Sequence, residues 1–201
     1  MKKLVFFLLL NIIVSFSFTL AQDIPTTVIK DEDMKGYKKK RFFQITALGG
    51  FINPLFVLNE KYYASPSVGL DFAYRVNKET ALFFEGNYIM LENKDSLTPS
   101  STYFNLAIGS RFYFRAKGVR SSFFVEAASG PYVFMQSSKI IDTISYQSKT
   151  ISKWGLNFGM GGEMVLTNRL FIMIKAKYNY IIERNVTKSY VCGLMGLTFR
   201  F

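Results

Sequence analysis

The chain has 201 residues, with 25 Lys and Arg against 14 Asp and Glu, a net charge of +11 and no histidine. Apolar residues make up 49% of it, Phe and Tyr number 21 and 12, Pro only 5, and Cys192 is alone. This composition excludes a disulfide framework and His-based acid–base or zinc chemistry, and it is far too aromatic for a disordered chain.

Lys2 and Lys3 form a charged start, Leu4 to Phe18 is apolar, and Thr19 and Ala21 stand at the −3 and −1 positions of a cleavage site. The layout predicts a cleaved secretory signal peptide over residues 1–21. The apolar run is short for a membrane span, and Gln22 stands where a lipoprotein would need Cys. Residues 22–40 are polar, show no period and end in Lys38-Lys39-Lys40, which reads as a flexible periplasmic tail. Losing Lys2 and Lys3 leaves a mature chain that is still strongly basic. Nucleic acid is a poor partner for an exported protein, whereas anionic lipid headgroups fit the charge.

From Arg41 onward apolar residues recur every second position, the period of a strand with two unlike faces. Phe43, Ile45, Ala47 and Phe51 oppose Gln44 and Thr46. Val68, Leu70, Phe72, Tyr74 and Val76 oppose Gly69, Asp71, Ala73 and Arg75. Leu82, Phe84, Tyr88 and Met90 oppose Glu85 and Asn87. Phe104, Leu106, Ile108, Phe112 and Phe114 oppose Asn105, Gly109, Arg111 and Arg115. Phe123, Val125 and Ala127 oppose Glu126 in a strand to Met135 that Gly130-Pro131 interrupts, which predicts a bulge or bend. Trp154, Leu156, Phe158, Met160 and Met164 oppose Asn157, Gly159, Gly161 and Glu163. Leu170, Ile172, Ile174, Ala176, Tyr178 and Tyr180 oppose Lys175, Lys177 and Asn179. Val191, Met195, Leu197, Phe199 and Phe201 oppose Thr198 and Arg200.

The apolar faces of these eight strands carry no charge. The opposite faces carry Asp71, Arg75, Glu85, Arg111, Arg115, Glu126, Glu163, Lys175, Lys177 and Arg200. A charge facing lipid at mid-bilayer costs about 2–4 kcal/mol, so a membrane barrel purges it. A soluble barrel would purge its core as well, and the aromatic residues separate the two. With the N-terminus periplasmic, Phe51, Tyr88, Phe104, Trp154, Tyr178 and Tyr180 fall near the outer ends. Phe43, Tyr74, Phe112, Phe114, Phe123, Phe199 and Phe201 fall near the periplasmic ends. Two aromatic girdles belong to a membrane barrel and have no reason to exist in a soluble core. Connections alternate between short (77–79, 115–121, 167–169) and long (53–65, 92–101, 137–152, 182–188), as periplasmic turns and outer loops do. The expected fold is all-β: an eight-stranded antiparallel up-and-down transmembrane β-barrel over residues 41–201, in the bacterial outer membrane.

The alternating strands, the Gly-rich segment Gly155 to Glu163 and the terminal Gly196-Leu-Thr-Phe-Arg-Phe201 resemble the small outer-membrane β-barrel domains of Bacteroidota, grouped as porin-family or PorT-like proteins. The resemblance covers roughly Arg41 to Phe201. It implies a barrel of structural, adhesive or secretion-associated role, with Phe199 and Phe201 as the signal read by the barrel-assembly machinery. Lipopolysaccharide and phospholipid would surround it.

Eight strands enclose a lumen that side chains fill. Asp71, Glu85, Arg111, Glu126 and Lys175 lie at similar depths and, with Arg75, Glu163 and Lys177, predict an ion-pair network that closes the lumen. No catalytic, cofactor or metal motif is present, so the expected role is non-catalytic. The alternatives are a surface adhesin or receptor working through its loops, a narrow porin, and a barrel enzyme. Basic residues gather at the periplasmic edge (Lys38–Lys40, Arg41, Lys78, Arg115, Lys117, Arg120, Arg169, Arg200), as rim charges or as a site for a periplasmic partner. Loop residues Leu55, Phe56, Tyr62, Tyr63, Ile140, Ile141 and Tyr146 would either meet a surface partner or rest on the rim.

Overall fold

Strand pairing in a computed structural model carries the two-residue period into three dimensions. The structure describes residues 42–95, 99–114, 121–141, 144–183 and 188–201; the segments expected to be a signal peptide and a tail, with Lys38–Lys40, and Arg41, Arg115, Lys117 and Arg120 lie outside the described residues. In chain order the elements are β1 (Phe42–Phe56), helix α1 (Val57–Lys61), β2 (Ser65–Arg75), β3 (Thr80–Leu91), β4 (Ser101–Phe114), β5 (Ser122–Gln136), β6 (Lys139–Ile141), β7 (Ile144–Tyr146), β8 (Lys149–Val165), β9 (Leu170–Ile181) and β10 (Lys188–Arg200). Eight of the strands close into an antiparallel barrel in the order β1-β10-β9-β8-β5-β4-β3-β2, and β6 and β7 form a separate two-stranded hairpin. The seam runs from Gln44 opposite Arg200 to Phe56 opposite Lys188. Every edge of the barrel is thereby paired, which is what a β-structure needs where water cannot bond its backbone.

The short turns cluster at the seam's Gln44–Arg200 end. Asn77 Oδ1 accepts from the backbone of Glu79 and Thr80 at 2.8 and 2.7 Å, and Thr167 Oγ1 accepts from Arg169 and Leu170 at 3.3 and 3.1 Å. Such side-chain turns reverse the chain in few residues. At the far end the strands are longer than the sequence pattern indicated. β1 continues five residues past Phe51, and β8 begins at Lys149 rather than after Ser152. The expected 53–65 loop is therefore mostly strand and helix, and the 137–152 loop contains a hairpin. Both departures have one cause: residues beyond the regular alternation still pair as strand when a neighbour offers a ladder, 52–56 with β10 and 149–152 with β5. Phe56, at φ 50°, turns the chain sharply from β1 into α1.

The expected bulge at Gly130-Pro131 is absent. β5 keeps one register with β8 throughout, with Gly130 opposite Gly155 and Pro131 opposite Trp154. Its pairing with β4 lapses only at Leu106 and Ala107, then resumes in the same register. Pro131 lacks an N–H and merely interrupts the ladder. Gly130 lies so close to β4 that a Cβ there would sit 2.0 Å from the Leu106 carbonyl oxygen.

The barrel wall sorts side chains inversely to a soluble protein. Outward positions are apolar and open, as at Ile108 and Met160 (both 66% exposed) and Phe158 (56%), while Asp71, Glu85 and Arg111 inside are 0% exposed. Outward aromatics pair across strands near the turn end, Phe43 with Tyr74 (ring centroids 4.8 Å apart) and Phe114 opposite Phe123. Tyr88 lies opposite Phe104 toward the loop end, and Phe72, Phe84 and Phe158 extend the two bands toward the middle. Phe199 and Phe201 also point outward, edge to face at 4.8 Å, with the Phe201 amide donating to the Phe43 carbonyl at 3.0 Å.

Candidate functional site: the lumen and its loop-end mouth

Inward residues stack in layers along the barrel. The middle layer brings together Asp71 from β2, Glu85 from β3, Arg111 from β4, Glu126 from β5, and Lys175 and Lys177 from β9, none more than 3% exposed. Arg111 Nη2 lies 2.5 Å from Asp71 Oδ2 and 2.7 Å from Glu126 Oε2, and its Nε donates to Glu126 at 2.8 Å. Lys175 Nζ lies 2.9 Å from Asp71, 3.6 Å from Glu126 and in direct contact with Glu85; Lys177 Nζ lies 2.5 Å from Glu85. Three carboxylates thus meet three cations with no charge left over. That balance is what makes six buried charges tolerable, since an unpaired one would carry its full desolvation cost. Asp71 and Glu85 are opposite one another in the β2–β3 register, a like-charged pair that Lys175 bridges. Phe83 and Phe124 flank the Arg111 guanidinium, with centroids 4.8 and 4.6 Å away.

Arg75 and Glu163 do not join this layer. They lie nearer the turns, 3.3 Å apart, with Tyr113 Oη donating to Glu163 at 2.7 Å. Arg200, which the sequence sets both on the inward face and among the basic residues of the periplasmic edge, turns inward. Its guanidinium lies 3.7 Å from Glu163 and stacks between Phe42 (4.2 Å) and Phe171 (3.9 Å). Tyr113 links the two groups, since Arg111 Nη1 also donates to its hydroxyl at 3.4 Å. Neither Tyr113 nor this use of Arg200 was evident from alternation, which assigns a face but not a contact.

Above the charges comes a polar layer in which Asn87 faces Asn105 across β3–β4, and Asn157 faces Asn179 across β8–β9. Tyr132 Oη donates to Asn179 at 2.9 Å, and Asn179 Nδ2 reaches the Cys192 sulfur at 3.5 Å. Higher still, Ile52, Ile89, Leu91, Tyr103, Ile181 and Tyr190 form an apolar cluster. Leu58 and Tyr62, carried by α1 and the turn after it, complete its top at 4% and 6% exposure. Tyr62 is therefore a stopper rather than a surface anchor, whereas Phe56 and Tyr63 are open, at 64% and 51%. The side chains of Ile140, Ile141 and Tyr146 lie outside the described residues.

On top of this cluster lies a blind vestibule of about 460 Å³, open at the loop end. Tyr62, Tyr103, Tyr132 and Phe134 line it together with five lysines: Lys61, Lys94, Lys149, Lys153 and Lys188. The sequence reading missed this group, because Lys149 and Lys188 fall on strand extensions it had placed in loops. The vestibule's acids are Glu60, Asp95 and Glu183. Glu183 is bound by Lys188 at 2.6 Å and lies 3.9 Å from Lys153, and the Lys188 ammonium donating to it holds its carboxyl below the usual range.

No family model matches the sequence, and no curated protein matches it. Solved structures do share the fold. Neisserial surface protein A superposes with a TM-score of 0.54 at 16% identity, covering 79% of this chain and 95% of that one. The outer membrane protein OprG from Pseudomonas aeruginosa gives 0.53 at 13%, covering 82% and 97%. The N-terminal β-barrel domain of Pseudomonas aeruginosa OprF gives 0.52 at 13%, covering 81% and 100%. At these identities the likeness is one of architecture: a closed, eight-stranded, up-and-down barrel.

Proposed function

We propose that the chain is an integral protein of the bacterial outer membrane, non-catalytic, with its lumen closed by its own side chains and a structural or interaction role at the surface. The observation that carries this reading is the inverted wall: among the described residues, an uncharged apolar exterior surrounds a core whose buried charges are paired. Such a surface is stable only in hydrocarbon, and strands of 11 to 17 residues meet or exceed the nine to eleven or so that a bilayer requires. Fold likeness to outer-membrane barrels supports the same reading. So does the earlier resemblance to porin-family or PorT-like barrels of Bacteroidota, which adds a role in a secretion or surface complex.

In this reading the short turns, the start of β1 and the end of β10 face the periplasm, and the vestibule at the opposite end faces outward. Phe199 and Phe201, outward on the last strand, are the residues the assembly machinery would read. The ion layer, the asparagine layer and the apolar cluster act as successive plugs, so the protein does not conduct. Non-catalytic character rests on the absence of histidine and on the engagement of the lumen's charges with one another.

Fractionation with gel electrophoresis of unboiled and boiled samples tests the placement. An outer-membrane band that migrates faster unboiled supports it, and a periplasmic protein without a heat shift overturns it. Planar-bilayer recording tests the plug, which a large steady conductance would refute.

A further inference from the structure

The vestibule carries a more specific assignment, which rests on the outward orientation proposed above. We propose that it is a binding pocket for an acidic saccharide, a sugar unit bearing carboxylate or phosphate groups. Four observations support this. First, the pocket is blind, because Tyr132, Tyr190 and Ile181 beneath it are 0–2% exposed, so it holds a ligand rather than passing one. Second, its volume of about 460 Å³ suits a small molecule or chain end. A folded partner needs roughly 800 Å² of its surface covered, more than such a pit provides.

Third, its charge is unbalanced toward cations. Five lysines face three acids, and among the described residues Lys61 and Lys149 form no ion pair. Lys149 sits on β8 and Lys61 at the end of α1, so cations stand on different walls of one pocket. Compact ammonium groups on flexible stems are suited to point contacts with carboxylate or phosphate oxygens. Fourth, the lining below them is aromatic and aliphatic: Tyr103, Tyr132, Phe134, Leu58 and Ile181. A simple inorganic anion would leave that surface unused, whereas the C–H face of a sugar ring packs on it while the ring's acidic groups reach the lysines.

The test is calorimetric titration of the full barrel, refolded in detergent and first shown to be heat-modifiable, at low salt. Trigalacturonic acid is the probe, with neutral galactotriose and inorganic phosphate as controls. The expected result is binding of the acidic trisaccharide, none of the neutral one, and binding of phosphate weaker by about tenfold or more. K61E/K149E is expected to lose about tenfold in affinity for the acidic probe while keeping its heat shift. Equal binding of phosphate and trigalacturonic acid, or binding unaffected by K61E/K149E, or no binding at all by a heat-modifiable barrel, would each overturn the assignment. Loss of the heat shift in the wild-type chain would instead overturn the barrel reading, so the two failures are distinguishable. Displacement of the probe by lipopolysaccharide assigns the natural occupant to a lipid headgroup, and resistance to it assigns a soluble glycan; the pocket's chemistry stands in both arms.

Discussion

Replacing Lys175 by Met is the sharpest test of the buried charge layer. Lys175 touches all three carboxylates of the layer, Asp71 at 2.9 Å, Glu126 at 3.6 Å and Glu85 in contact, with no exposure to solvent. Each such contact is worth about 4 kcal/mol gross at 4 Å for an effective dielectric of 20. Much of that gain offsets the cost of taking the ammonium out of water and its repulsion from Arg111 and Lys177. Removing one partner leaves Asp71 and Glu85 side by side with one negative charge uncompensated, for which a net loss of roughly 3–5 kcal/mol is expected. Met fills much the same space, so the effect is of charge rather than of volume. The assay is urea unfolding of the refolded protein in phosphatidylcholine vesicles, read by the fluorescence of Trp154, the one tryptophan of the chain. The decisive comparison is K175M/E85Q, which restores neutrality with Asp71 and Glu126 against Arg111 and Lys177. It is expected to be more stable than K175M alone, a strong departure from additivity. If K175M costs under about 1 kcal/mol, or if the double variant loses the sum of the two singles, the layer is not held by charge balance and the reasoning fails.

The outer wall is tested by Ile108→Arg, which places a charge on the exterior at the middle of β4 and should cost about 2–4 kcal/mol in vesicles by the same unfolding assay. Gly130→Val pushes a Cβ toward the Leu106 carbonyl at a spacing of 2.0 Å, and the heat-shifted fraction after refolding is expected to fall sharply. The Glu183–Lys188 clasp has a defined pH dependence. Its carboxyl is depressed in the folded protein, so the clasp stabilises above the unfolded carboxylate pKa of about 4.3 and is lost as pH falls through the lower folded value. NMR titration of Glu183 should show that depressed midpoint, and Lys188→Met should return it to the ordinary range.

Strand number, strand faces and the residues of the charged interior were readable in the chain, because alternation is a strong signal and a period of two leaves each residue only two faces. What alternation does not encode is depth beyond the apolar zone. Lys149, Lys153 and Lys188 sit on strand ends whose polar, aperiodic sequence is indistinguishable from loop, so the vestibule they line went unseen. Tyr62 was equally opaque. A tyrosine between Lys61 and Tyr63 can rest inside or outside, and only α1 folding over the mouth decides it. Gly130-Pro131 misled for a different reason. A residue that cannot donate and one without a side chain usually mark a bulge, yet here they mark a place where two strands approach too closely for anything larger. Arg200 shows the remaining limit, since alternation sets it on the inward face but does not encode its stacking on Phe42 and Phe171 or its approach to Glu163.

The seam between β1 and β10 has a kinetic consequence. Its pairs join residues such as Gln44 and Arg200, which lie almost a whole barrel sequence apart, so the ladder that closes the cylinder has the highest contact order in the fold. Until β10 docks, β1 and β9 both present unpaired backbone that hydrocarbon cannot satisfy. Insertion is therefore committed by its last strand: a ring missing one stave is not a slightly weaker barrel but an open ribbon, and the bilayer has no place for it.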